Sequence, residues 1–315
     1  TLGWVIVAFV LYLLMMIAIG AFYAKGNNNS EDYFLGGRKL NGFVAALSAQ
    51  ASDMSGWLLM GLPGAIYLTG VGGDGWIAIG LFIGTTLNWL FIATTLRRYT
   101  IRANNSVTLP TYFENRFHDD KKVLMTVSSI TIVVFFLVYC ASALSAGGQL
   151  FESVFGIDYH VALTIGALVV LVYTFLGGFT AVCVTDFIQG MLMLVGILAV
   201  PLFAYHFLTG NGATLAAGLE ASGADSTNFL NLMKNGDGSN NIVSVISGLG
   251  WGLGYFGMPH ILVRFMAVRD EKEMTKSKAT AISWVALSLG FAVFIGILGR
   301  AYLPELVNGN NEKVF

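Results

Sequence analysis

The sequence predicts an all-α membrane protein, and three observations lead there. Hydrophobic residues make up 56% of the 315-residue chain, and 38 glycines come on top of them. Only 11% of the residues are charged, against about 25% in an ordinary soluble domain. The apolar residues also gather in runs long enough to cross a bilayer, which takes roughly 20 residues as a helix. A water-soluble enzyme of ordinary make is excluded, and so is a disordered chain. A net charge of −1 without a long basic stripe excludes a nucleic-acid binder.

Eight spans are expected in order: 3–24, 42–70, 75–96, 123–151, 160–181, 186–208, 241–267 and 279–303. The first has no basic n-region and no short apolar core before a cleavage site, so it reads as a spanning helix and not as a cleaved signal. The third runs into Arg97-Arg98 and the fourth follows Lys121-Lys122. A short link, 182–185, separates the fifth from the sixth. Residues 209–240 are rich in Gly, Asn, Ser and Asp and form an outer loop. The polar end, Gly309 to Phe315, leads towards a further apolar segment, so the chain is expected to be truncated after about eight transmembrane helices.

Charge orients these spans. The connections 23–41 (Lys25, Arg38, Lys39), 97–122 (Arg97, Arg98, Arg102, Arg116, Lys121, Lys122) and 264–278 (Arg264, Arg269, Lys272, Lys276, Lys278) hold 14 of the 17 Lys and Arg. Alternation of eight spans puts all three on one side, and by the positive-inside rule the N-terminus is outside. The link 182–185 carries no Lys or Arg and is placed inside by parity alone. Cys140 and Cys183 lie in apolar runs, where a thiol acts as a small hydrophobe, and imply no disulfide. His118, His160, His206 and His260 form no ligand-spaced pair, so neither zinc nor haem is expected. No organic cofactor is expected either.

Two spans carry interruptions. The second contains Ser48-Ala49-Gln50-Ala51-Ser52-Asp53-Met54-Ser55-Gly56-Trp57. A carboxylate at the bilayer centre costs about 2.5–3.5 kcal/mol on the most lenient scale, so Asp53 should face a cavity or an ion path. Small-residue packing would account for Ser48, Ser52 and Ser55 but not for the aspartate. The seventh contains five glycines and a proline between Ser247 and Pro259. Unwound backbone at membrane depth is tolerated only where it lines a cavity, so a broken helix is expected there. A glycine-faced close crossing fits poorly, because these glycines surround the helix. Broken helices five spans apart point to an inverted-repeat secondary transporter with its site at the midplane.

The runs Ser48–Ala65 (SAQASDMSGWLLMGLPGA), Tyr173–Asp186 (YTFLGGFTAVCVTD) and Trp251–Met266 (WGLGYFGMPHILVRFM), with Leu35-Gly36-Gly37-Arg38 and Leu109-Pro110-Thr111-Tyr112-Phe113, closely resemble the sodium/solute symporter family. The resemblance implies a leucine-transporter-like inverted-repeat fold: an extra N-terminal helix at 1–24, a first five-helix repeat at 40–208, the outer loop 209–240, and two helices of a second repeat within 241–315. It implies sodium-coupled import of L-proline across the bacterial cytoplasmic membrane. The sodium ion would be held by main-chain oxygens of Ala51 and Met54, with Asp53 and Ser55 important for binding and coupling. Whether Asp53 touches the ion or shapes its access path stays open.

Proline offers a carboxylate, a secondary ammonium and an apolar ring, so its pocket wants aromatic faces. Trp57, Tyr139, Trp251 and Tyr255 match the family's substrate-lining aromatics, with Ser55 beside them. Cys140 either joins them or is an inert buried thiol. Asp186 resembles the inner sodium exit aspartate, or else is an acidic residue at a helix start favoured by the dipole. Arg38 resembles a position near the inner end of the sodium path, or else is a topology anchor. The rivals are a symporter for a sugar, sialic acid or pantothenate, with Gln50 as the main polar candidate, and an intramembrane enzyme, for which no nucleophile and base pair is visible.

Overall fold

The computed structural model describes residues 2–210, 212, 214–308 and 311–314. Of the expected outer loop, Asn211 and Ala213 lie outside the described residues, as do Thr1 and, at the polar end, Gly309, Asn310 and Phe315. In chain order the helices are α1 (Leu2–Ala24), α2 (Ser30–Leu35), α3 (Gly42–Gly56), α4 (Leu62–Thr69), α5 (Val71–Leu87), α6 (Ala93–Arg102), α7 (Leu109–Phe117), α8 (Val123–Phe155), α9 (Tyr159–Gly210), α10 (Leu215–Ala221), α11 (Ser226–Phe229), α12 (Ile242–Trp251), α13 (Pro259–Ala267) and α14 (Glu271–Tyr302). Single π turns join α3 to α4 at Trp57–Gly61 and α5 to α6 at Asn88–Ile92. A 3-10 segment, Gly252–Gly257, follows α12.

Both expected breaks are present. Ser55 has φ 43° and ψ −155°, a conformation that an L-residue adopts only under local strain. The second break falls at Met258, whose backbone is extended before Pro259. The link expected at 182–185 is a correction: those residues are helical, and the chain turns at Gly178 (φ 61°, ψ −159°) inside the 52-residue α9. A continuous helix of that length would reach about 78 Å, more than twice the roughly 30 Å of hydrocarbon, so a break is required. A Cβ on Gly178 would lie 2.9 Å from the Tyr33 carbonyl oxygen, and the positive φ favours glycine.

The chain divides into two compact units. The first comprises Thr1–Ser52, Ala93–Gln189 and Pro259–Ser277. Within it α1 and α9 meet at glycines: a Cβ on Gly20 would stand 2.9 Å from Tyr173 Cα, and one on Gly177 would stand 2.9 Å from Gly20 Cα. The loop before α3 is zipped to the chain after α13. Leu40 N–H donates to the Ala267 carbonyl at 3.1 Å and Arg269 N–H to the Leu40 carbonyl at 3.0 Å. The first N–H of α3, on Gly42, donates to Glu273 Oε2 at 2.7 Å, which places a carboxylate at the positive pole of that helix.

The second unit comprises Asp53–Ile92, Gly190–Met258 and Lys278–Phe315. Its centre is the packing of α5 on α12, where Gly80 and Gly84 face Gly248 and Gly252 with no room for a Cβ on any of the four. The close crossing set aside above therefore exists, built from two of the five glycines in G-x-x-x-G spacing on each helix. Gly250, Gly254 and Gly257 meet nothing within 4 Å and serve the break instead. The segment expected to form an outer loop packs on the start of α5: Trp76 Nε1 donates to the Leu232 carbonyl at 2.9 Å, and Asn241 Nδ2, just after it, to that of Gly72 at 2.9 Å. Overpacking a tight crossing costs about 1–3 kcal/mol or more. Gly248→Leu should therefore sharply lower the monodisperse fraction in fluorescence-detected size-exclusion chromatography, while Gly250→Ala should leave it unchanged. Equal profiles for the two would mean that the crossing does not hold the unit together.

Candidate substrate and ion site

In the second unit five of the expected site residues, Asp53, Ser55, Trp57, Trp251 and Tyr255, are linked in two sets. Trp57 directly follows the first break, Trp251 ends α12, and Tyr255 lies in the 3-10 segment. The indoles of Trp57 and Trp251 stack with ring centroids 5.9 Å apart and planes 22° apart, a geometry worth about 0.5–1.5 kcal/mol beyond area burial. Tyr255 is buried, and its hydroxyl donates to Asp53 Oδ2. The carboxylate that the sequence singled out thus links the first break to the second. Asn88, fully buried on the π turn of α5, donates from Nδ2 to the Tyr255 carbonyl at 2.8 Å. Ser55 Oγ accepts from Trp57 N–H at 3.5 Å.

Ala51 and Met54 lie in the last turn of α3, just before the Ser55 break, with buried side chains. The last four carbonyls of a helix lack intrahelical donors, so the negative pole of this half-helix offers oxygens of the hard type that sodium takes.

In the first unit Tyr139 and Cys140 are on α8. Tyr139 Oη donates to the Ser52 carbonyl at 3.0 Å, and its ring stacks on His260 at 5.6 Å. Cys140 is exposed. Asp186 is not at a helix start: α9 resumes after Gly178, so this residue sits about two turns in. The helix-dipole reading of Asp186 is thereby withdrawn. Its Oδ2 instead accepts from Arg264 Nη2 at 2.8 Å and from Ser48 Oγ at 2.7 Å, and Arg264 Nε donates to the same Ser48 Oγ at 2.9 Å. All three residues are buried. A cavity of about 900 Å³ in this unit has Arg264 and His260 in an otherwise largely apolar wall. It contains none of the aromatics expected to bind substrate.

Arg38 is also buried. Its guanidinium donates to Asn105 Oδ1 at 3.0 Å, Thr100 Oγ1 at 3.3 Å and the carbonyls of Met266 and Ser106 at 2.9 and 2.8 Å, with Glu31 at 3.4 Å. Burial pulls it below the usual arginine range and Glu31 pulls the other way. It fastens the loop before α3 to the end of α13, which is more than a topology anchor requires.

Arg264 is not a loop cation: it lies within α13. The signal was there to read: it interrupts the apolar run Ile261-Leu262-Val263-Arg264-Phe265-Met266, and a lone cation in such a run needs a partner. Asn88 had no comparable signal, because the register shift of a π turn is invisible in composition.

A helical fold with two broken apolar segments, each break bearing polar and aromatic side chains, is the arrangement found in inverted-repeat secondary transporters. The sodium:solute symporter family matches residues 33–311, and the chain belongs to it. The sodium/proline symporter of Salmonella typhimurium is 45% identical over 316 residues, covering 98% of this chain and 61% of that protein. The Escherichia coli K12 protein of the same name is 44% identical with the same coverage. The chain thus spans about three-fifths of the length of these curated relatives. Over its whole length it superposes on 65% of a Na+-coupled sialic acid symporter solved in a substrate-bound outward-open state, with a TM-score of 0.79 at 20% identity. That likeness shows the fold, and the leucine-transporter-like expectation stands. These relatives are symporters by name, and none of them supports the intramembrane-enzyme reading.

Proposed function

We propose that the full-length protein imports L-proline together with sodium across the bacterial cytoplasmic membrane by alternating access, with its N-terminus outside. What carries this reading is the Asp53–Tyr255 link at the two helix breaks, flanked by the Trp57–Trp251 stack, in a chain 45% identical to a sodium/proline symporter. The carbonyls of Ala51 and Met54 take sodium as co-transported cargo, and Asp53 and Ser55 set the charge and shape around it. The indole faces of Trp57 and Trp251 receive the pyrrolidine ring and its ammonium, with Tyr255 as a further wall; Tyr139 and Cys140 are assigned to substrate by the family resemblance alone. Asp186 and Arg38 belong to the inner half of the path. The unit 40–208 acts as the first repeat behind the extra helix 1–24, 209–240 is its outer loop, and 241–315 opens the second repeat.

Another solute in place of proline is the second reading, since the structural neighbour carries sialic acid. The test is proline uptake into proteoliposomes of the full-length protein with and without an inward sodium gradient. Uptake should collapse without sodium and be competed by excess proline but not by sialic acid or glucose. Uptake indifferent to sodium would overturn the coupling, and competition by a sugar would overturn the substrate.

A further inference from the structure

Tyr255 stands in a stretch where helical hydrogen bonding fails for a definable reason. The α-helical donor to its carbonyl would be the N–H of residue 259, and residue 259 is a proline without one. Met258, between them, is extended. A buried carbonyl left without a donor is costly, and the chain supplies one from 167 residues away: Asn88 Nδ2, at 2.8 Å. Two features of α5 deliver it there. The Gly80/Gly84 crossing on Gly248/Gly252 keeps the helix backbones in contact up to the 3-10 segment. The π turn beginning at Asn88 then adds a residue to the helical register, a device that often marks functional positions.

The orientation of the amide is fixed by chemistry, because only its nitrogen can face a carbonyl. Asn88 Oδ1, and Thr85 Oγ1 one turn earlier on the same face, are buried without a protein partner. One ordered water between them would satisfy both.

We propose that Asn88 is a positioning residue: its amide replaces the backbone donor that Pro259 cannot give, and so fixes Tyr255 against Asp53 and Trp251 against Trp57. This rests on the transport reading above, but its consequences can be measured apart from transport. Asn88→Leu is close to the amide in size, carries no charge and lacks the N–H. In the full-length protein it should reach the membrane at near wild-type level, weaken the near-ultraviolet circular dichroism of the stacked tryptophans, and raise the proline half-saturation about tenfold, as expected for one buried carbonyl losing its donor. Asn88→Gln, which keeps the amide, should recover part of both signals.

Should Asn88→Leu fail to accumulate, Asn88→Ser, whose short hydroxyl stops further from the carbonyl, is read in the same two ways. An unchanged tryptophan signal and proline half-saturation in an inserted variant would overturn the proposal. A wild-type protein that shows no sodium-driven proline uptake would instead sink the transport reading, while the tryptophan comparison still decides the role of Asn88.

Discussion

Arg264→Ala should be among the most damaging single substitutions in the chain. Arg264 and Asp186 are paired at 2.8 Å, with side chains only 6% and 11% exposed. Removing one partner leaves the other as an uncompensated charge in a low-dielectric interior, and such deletions typically cost about 3–5 kcal/mol. The attraction itself is not the main quantity, because desolvation of the two ions offsets much of it. The double variant Arg264→Ala/Asp186→Asn should therefore be more stable than Arg264→Ala alone. The measurement is the thermal unfolding midpoint of the full-length protein in detergent. If the double variant melts below both single variants, the pair is not acting as a charge-compensated unit.

Ser48 refines the prediction. Its hydroxyl donates to Asp186 while accepting from Arg264, so it joins the first half of α3 to the pair on α9 and α13. Ser48→Ala removes a neutral bridge and leaves the ion pair in place. Its cost should be nearer the 0.5–1.5 kcal/mol of an ordinary hydrogen bond.

This triad shows what the chain's letters could and could not convey. Asp53 was legible because a carboxylate in the middle of an apolar run has no inexpensive explanation, and the structure gives it Tyr255. The break in the seventh span was legible from its glycines, yet those glycines do two jobs. Gly248 and Gly252 seat α12 on α5, whereas a Cβ on Gly250, Gly254 or Gly257 would meet open space. Spacing on one helix cannot assign them until the partner, with Gly80 and Gly84, is in place. Asp186 and Arg264 lie 78 residues apart, and charge counting groups Arg264 with the loop cations because it treats position along the chain as position across the membrane. The turn at Gly178 was missed for a related reason: a break made by one positive-φ glycine leaves almost no trace in hydropathy.

Asp53→Asn should raise the sodium concentration needed for half-maximal proline uptake while leaving the architecture intact. The substitution keeps size and shape, and the asparagine oxygen can still accept from Tyr255 Oη, so the link between the two breaks survives as a neutral hydrogen bond. What disappears is the carboxylate of the residue next to Met54 and two positions from Ala51, whose carbonyls are proposed to take sodium. Interactions to charged groups contribute about 1.5–3 kcal/mol, which converts to roughly a 10- to 150-fold shift in sodium half-saturation. Tyr255→Phe separates charge from link: it removes the hydroxyl, keeps the ring, and leaves the Asp53 carboxylate free to rotate. Its sodium shift should be the smaller of the two and its loss of proline affinity the larger, because Tyr255 is held beside the tryptophan stack. The measurement is the sodium dependence of uptake at saturating proline, and the proline dependence at saturating sodium, in proteoliposomes of each full-length variant. Wild-type sodium dependence in Asp53→Asn would reduce Asp53 to a packing and hydrogen-bonding residue. The reverse ordering of the two variants would place the critical contribution in the tyrosine hydroxyl instead of the carboxylate charge.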